Sequence, residues 1–228
     1  MSLEQIRSTA TNDWQKARAA LLAKEKQLTK LQDELAAERR RLPRVLVEKQ
    51  YRFDGPSGPI TLGELFAGRP QLLLYHFMFA PTVGGWPHAA CPGCSMFIDN
   101  LGEFARTHLE RRDVSFATVS LAPMENIERY RRRMGWNINW VSSANNSFNR
   151  DFGLTTDEGE QHGLSVFLKD DGAIYWTYFT SARGLEKVGT VWSLLDLVPY
   201  GRQEEWEDSP SGTPQSPAYQ WWRRHDEY

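Results

Sequence analysis

From Leu3 to about Leu42 the chain sets scattered apolar residues in a background of Ala, Glu, Lys, Gln and Arg, with neither Gly nor Pro. That pattern predicts one long helix ended by Pro43. Trp14, Leu21, Leu28, Leu35 and Leu42 recur at heptad spacing, but the companion seam positions hold Ala17, Lys24, Leu31 and Glu38. A single apolar stripe predicts an arm that docks on its own domain or on a sister subunit, because a free-standing coiled coil needs both seam positions apolar.

The period then changes. Val45 to Phe53 alternates as a strand does, and Asp54-Gly55-Pro56-Ser57-Gly58-Pro59 is a turn signal ahead of a short helix over Leu62 to Phe66, which together predict an edge hairpin. Gln71 to Phe77 is a nearly continuous apolar run bounded by turns, the mark of a central strand buried on both faces. A loop over Ala80 to Ala90 follows, and Cys91-Pro92-Gly93-Cys94 opens a helical stretch from Ser95 to about Leu109. Val114 to Val119 reads as a second core strand, Met124 to Met134 as a helix begun at Pro123, and Leu164 to Lys169 with Ala173 to Phe179 as an antiparallel hairpin about Asp170-Asp171-Gly172. Helical periodicity returns from Leu185 to Val198, and beyond Gly201 the chain is acidic, then Pro/Ser-rich, then aromatic. The order predicts an α/β domain over residues 44–200 with a central mixed sheet flanked by helices, a helical arm over 1–43 and an irregular C-terminal tail over 201–228.

Composition narrows the function classes. Lys and Arg number 27 against 29 Asp and Glu, a formal charge of −2, so no excess of positive charge points to nucleic acid. No apolar run approaches the roughly 18 residues of a membrane span, and the N-terminus lacks a basic segment followed by an apolar one, which predicts a cytoplasmic protein without a membrane partner. Two cysteines in 228 residues fit a reducing compartment, and both fall in a single CxxC.

A CxxC after a buried strand and at the first turn of a helix has a physical rationale. Unpaired N–H groups and the positive helix end stabilise a thiolate, which makes Cys91 the candidate nucleophile and Cys94, one turn on, the candidate resolving thiol. Pro92 suits the helix start, and Gly93 leaves room for a partner backbone to approach. Such a centre takes a disulfide or oxidised thiol as substrate and needs no bound cofactor or metal. His76 lies in the preceding strand, either beneath the cysteines as a proton relay or as a satisfied core histidine. Trp86 and His88 are rim residues or ordinary loop residues, and Arg183 is a surface arginine or one that approaches the cysteines. Two other readings stand beside the thiol–disulfide oxidoreductase: a non-catalytic redox-sensing or interaction protein on the same scaffold, and a zinc site made by Cys91, Cys94 and His88 with His76, His108 or His162. A homodimer is expected, since the arm and the Trp-rich tail need apolar surface to cover.

The order of elements plus CxxC resembles the thioredoxin superfamily, and Tyr51-x-Phe53…Gly58…Leu62…Leu65-Phe66 resembles the lead-in of alkyl hydroperoxide reductase/thiol-specific antioxidant proteins. Longer stretches, among them Tyr75-His76-Phe77-Met78-Phe79, Cys91-Pro92-Gly93-Cys94-Ser95, Phe148-Asn149-Arg150-Asp151-Phe152-Gly153 and Arg224-His225-Asp226-Glu227-Tyr228, are similar to a bacterial family of thioredoxin-like proteins with no assigned function. The resemblance spans arm, domain and tail and implies a thioredoxin-like fold with the CxxC at Cys91 and Cys94. The chain departs from thioredoxins in having Ala90 before Cys91 and Gly163-Leu164 where a cis-proline heads the third core strand. It departs from peroxiredoxins in lacking their Pro-x3-Thr/Ser-x2-Cys signature, since Ala89 and Ala90 lie between Pro87 and Cys91 beside His88.

Overall fold

In a computed structural model, which describes residues 11–228, the apolar run becomes β4 (Gln71–His76) at the centre of an eight-stranded sheet. Its parallel neighbour is β5 (Val114–Ser120), itself parallel to β6 (Trp140–Ser142). On the other side β4 pairs antiparallel with β9 (Gly163–Asp170), which turns through Asp171 and Gly172 into β10 (Ala173–Thr180). Three parallel strands beside an antiparallel hairpin, with the CxxC helix following the central strand, make the thioredoxin-like α/β arrangement expected from the sequence.

The stretch 45–53 does not form one strand. Val45–Leu46 (β1) pairs with β10 at one sheet edge, whereas Arg52–Gly55 (β2) and Gly58–Thr61 (β3) form the hairpin at the opposite edge, beyond β6. Alternation continues through 47–51, but a chain that crosses from one edge to the other cannot stay paired on the way. The short helix α2 (Leu62–Leu65) starts at a capping box in which Thr61 and Glu64 satisfy each other's backbone N–H.

Helix α3 (Pro92–Asn100) also ends sooner than its periodicity predicts. The Asn100 side chain donates to the Met96 carbonyl at 2.6 Å, and Gly102, the weakest helix former short of Pro, separates α3 from α4 (Glu103–Glu110). Likewise Leu185–Val198 is two helices. After α5 (Met124–Arg133) and α6 (Phe148–Asp151) come the small β7–β8 pair (Thr155–Thr156 with Gly159–Glu160), then α7 (Arg183–Glu186) and α8 (Thr190–Leu195), the last two parted at Gly189. There a Cβ would stand 2.1 Å from the Trp192 ring, so the close indole packing requires glycine.

The sheet separates two cores. Residues Tyr75, Phe77 and Phe79 pack with Cys94, Met96 and Phe97 of α3 and Tyr130 of α5 on one face, while Leu72 and Leu74 pack with Leu62 and Leu65 of α2 and Phe148 of α6 on the other. Helix α1 (Thr11–Arg40) meets the domain at its last turn, where Arg39 lies over the Tyr178 ring at 5.3 Å, but none of its residues is buried and Trp14 is 58% and Leu28 55% exposed. The stripe therefore does not dock on its own domain, contrary to one of the two arrangements the pattern allows; residues 1–10 of the predicted arm lie outside the described residues. Among the described residues no helix is long and apolar enough to cross a membrane.

Candidate redox site

Period-two alternation along β4 decides what lies beneath the cysteines. Leu72, Leu74 and His76 share one face and Tyr75 takes the other, toward α3. His76 accordingly sits against Phe148, with ring centroids 5.6 Å apart, and its Nε2 lies 2.8 Å from the Ser165 hydroxyl. It is fully buried, and burial pushes its pKa down to about 3, which leaves a neutral ring in the core opposite the cysteines rather than a relay beneath them. Tyr75 occupies the position assigned to it: stacked on Phe97 at 4.3 Å, it places its hydroxyl against Cys94.

Cys91 is the N-cap of α3, held to the end of the strand by its N–H donating to the Met78 carbonyl at 3.2 Å. Pro92 takes the first helical position, where a missing N–H costs nothing. The Cys94 N–H donates to Cys91 Sγ at 3.5 Å, and both thiols are free. The Cys91 sulfur is lowered to about 7, first by the hydrogen bond from the Cys94 side chain, further by the N–H groups of Cys94 and Gly93 and by the Arg224 charge, against the opposing effect of burial. Cys94 is only 2% exposed, and burial, then the hydrogen bond to Cys91 and its charge, push its pKa well up. The pair therefore has one acidic, half-buried thiol and one buried thiol that holds its proton.

The residues that complete this site come from the tail. Trp222 presents the edge of its six-membered ring to the start of α3, so close to Gly93 that a Cβ there would be 2.2 Å from the indole. It packs edge-on with Trp192 at 5.6 Å and tilted with Tyr219 at 4.7 Å, while its own indole N–H is buried without a partner among the described residues. Two residues on, the Arg224 guanidinium is buried and donates twice to the Ala90 carbonyl, through Nε at 2.9 Å and through Nη2, with Nη1 on Glu227 at 2.7 Å. Asp226 receives a two-pronged bond from Arg133 of α5 at 2.7 and 3.1 Å, and His225 meets Asp99 of α3 at 2.8 Å. Upstream, buried Arg202 joins buried Glu186 and grips Asp196. The tail is irregular, as expected, yet fastened along its length.

Between tail and cysteines remains a cavity of about 30 Å³, lined among others by Tyr75, Cys94, His162, Leu185, Trp192 and Trp222. That volume accommodates about one water. His162, reached from the end of β8, is half-buried there, and burial lowers its pKa.

The remaining sequence candidates lie elsewhere. Trp86 packs edge-on against Phe79 at 5.4 Å, and His88 is exposed; neither lines the cavity. Arg183 is exposed, stacks over Trp206 at 3.7 Å and does not line the cavity. Among the described residues no group of three or more His, Cys, Asp or Glu is placed to hold a metal: of the histidines proposed for a zinc site, His162 shares the cavity lining with Cys91 and Cys94 but completes no ligand set there. Sequence reasoning missed Tyr75, Trp222 and Arg224. Only the first carried a local signal, the parity of β4.

Solved structures with similarity to this chain include a peroxidoxin, BcpB, from Mycobacterium tuberculosis, at 15% identity over 62% of this chain and 85% of that one, with a TM-score of 0.48. Others are a putative thiol:disulfide interchange protein DsbE from Chlorobium tepidum (12% identity, 64% and 93% covered, TM-score 0.41) and a putative thioredoxin from Neisseria meningitidis (13%, 65% and 91%, TM-score 0.43). No curated protein matches the chain. A family model described as "Bacterial protein of unknown function (DUF899)" matches residues 1–228, and the chain belongs to that family.

Proposed function

We propose that the protein is a thiol–disulfide oxidoreductase with Cys91 as nucleophile and Cys94 as resolving thiol. The observation that carries the reading is the asymmetry of the pair: Cys91 caps α3, half-buried and lowered to about 7, over a buried Cys94 that stays protonated. The Cys91 thiolate attacks one sulfur of a disulfide RSSR′. As the Cys91–SR bond forms, the S–S bond breaks and R′S⁻ leaves to take a proton. Cys94 then gives up its proton and attacks Cys91 Sγ, forming the Cys91–Cys94 disulfide and releasing RSH. Two electrons pass to the substrate, and a thiol donor returns the pair to the dithiol.

Magnitudes separate two benefits of the lowered pKa. At pH 7 about half of Cys91 is thiolate, against about 3% of an ordinary thiol, a roughly sixteenfold gain. Intrinsic nucleophilicity falls about fivefold over the same interval, so attack gains only about threefold. The greater consequence is on the equilibrium, since a stabilised thiolate favours the reduced form and makes the disulfide more oxidising.

The pH dependence of alkylation by iodoacetamide tests the asymmetry. Cys91 is expected to be modified with an inflection near pH 7, rising with pH because only the thiolate reacts, and Cys94 to remain unmodified through that range. An inflection at the roughly 8.5 of a free thiol would contradict it. We further propose a homodimer paired through the exposed Trp14–Leu42 stripe; light scattering should give twice the chain mass of 26.3 kDa, and a concentration-independent monomer would overturn it.

A further inference from the structure

A disulfide on a folded protein brings its surrounding chain with it, and that chain must lie on the surface around Cys91. Two features of that surface favour docking of a partner backbone: the bare Cα of Gly93 and the carbonyl of Ala90. In this protein its own tail uses both. The Trp222 indole fills the space over Gly93, and the Arg224 guanidinium takes the Ala90 carbonyl with two N–H groups. The segment is not a fraying end, because Arg133 holds Asp226 and Asp99 holds His225. What the tail leaves partly uncovered is Cys91 itself, beside a cavity of about 30 Å³.

We infer that Trp222 and Arg224 are specificity-determining residues, which admit low-molecular-mass disulfides to Cys91 and exclude disulfides carried on folded proteins. The inference rests on the oxidoreductase reading and adds its substrate class. A small disulfide needs only the sulfur and a line of approach along the breaking S–S bond. A protein disulfide needs the two docking positions as well, and gains them only where the tail lifts. The buried indole N–H of Trp222, left without a partner among the described residues, makes its seat one that the tail leaves more readily than a fully satisfied one.

The test is single-turnover oxidation of the reduced full-length protein by bis(2-hydroxyethyl) disulfide and by insulin, each rate divided by that of dithiothreitol with the same oxidant. The wild type is expected to favour the small disulfide by about a hundredfold or more. Trp222→Ala should lower that ratio about tenfold, chiefly by speeding the reaction with insulin, and Trp222→Phe should restore most of it. Gly93→Ala reaches the same point from the other side, since its new methyl group evicts the indole while leaving the tail sequence intact. A wild type oxidised equally well by both substrates would overturn the inference. So would folded Trp222→Ala and Gly93→Ala proteins that keep the wild-type ratio. If neither disulfide oxidises the wild type, the oxidoreductase reading itself falls. Screening by the tail is then read separately from alkylation of Cys91 by N-ethylmaleimide and by a maleimide of about 5 kDa: selective acceleration of the large reagent in Trp222→Ala supports it, and equal acceleration or none overturns it.

Discussion

Serine at position 91 is expected to slow disulfide reduction by roughly a thousandfold or more, and serine at position 94 to halt the reaction halfway. The two outcomes differ because the site makes the two sulfurs different. Cys91 receives the Cys94 N–H and the charge of Arg224 and projects from the N-cap of α3, so its removal deletes the nucleophile. Cys94 is buried and its thiol is pushed up, so it contributes nothing to the first attack and everything to the second. Mass spectrometry of Cys94→Ser mixed with a small disulfide should therefore find a stable adduct on Cys91, whereas the wild type passes through it. An adduct on Cys94 in the Cys91→Ser protein, formed as fast as that on Cys91, would reverse the assignment.

Arg202→Ala is expected to cost about 3–5 kcal/mol of folding stability, the largest loss from any single tail residue. The Arg202 and Glu186 side chains are each 5% exposed and bonded to one another, and Arg202 also holds Asp196 by two parallel hydrogen bonds of 2.6 and 2.8 Å. Removing the guanidinium leaves the Glu186 carboxylate buried and unpaired, in a residue that lines the cavity beside the cysteines. At an m-value of about 2–3 kcal/mol/M the urea midpoint should fall by about 1–2 M. The double variant Arg202→Ala/Glu186→Gln should recover a large part of the loss, because the stranded charge is gone. A single variant within about 1 kcal/mol of the wild type would show that the network is not what fastens the tail.

These two predictions draw on different parts of what the sequence allows one to read. The place of the CxxC at a helix start was legible because its physics is local: a CxxC, a proline and the end of an apolar strand lie within one stretch, and a helix opening at Pro92 follows from them. The strands of the sheet were legible for the same reason, through period and turn chemistry. Tyr75 was within reach, since counting by twos from Leu72 puts His76 on the far face and Tyr75 toward the helix that the CxxC opens. The lost helix boundaries turned on single residues that periodicity does not encode: the Asn100 side chain bonding back to Met96 ahead of Gly102, and Trp192 packed against Gly189.

Trp222 and Arg224 were illegible for a different reason. Arg224 lies 134 residues from the Ala90 carbonyl it holds, and nothing in a Pro/Ser-rich segment announces where it returns. Its aromatic ending suggested buried surface, but not that the surface is the N-terminus of α3. The space that the sequence reserved for a partner at Gly93 is filled by the chain itself.

The central claim, that Cys91 and Cys94 act as a dithiol–disulfide couple, is tested most directly by equilibrating the metal-free protein across a glutathione redox series and weighing it after acid quenching. The account predicts a reversible loss of the mass of two hydrogens with a single midpoint, absent from both serine variants. Two thiols that remain unpaired at every poise, or that emerge only as separate glutathione adducts, would contradict it.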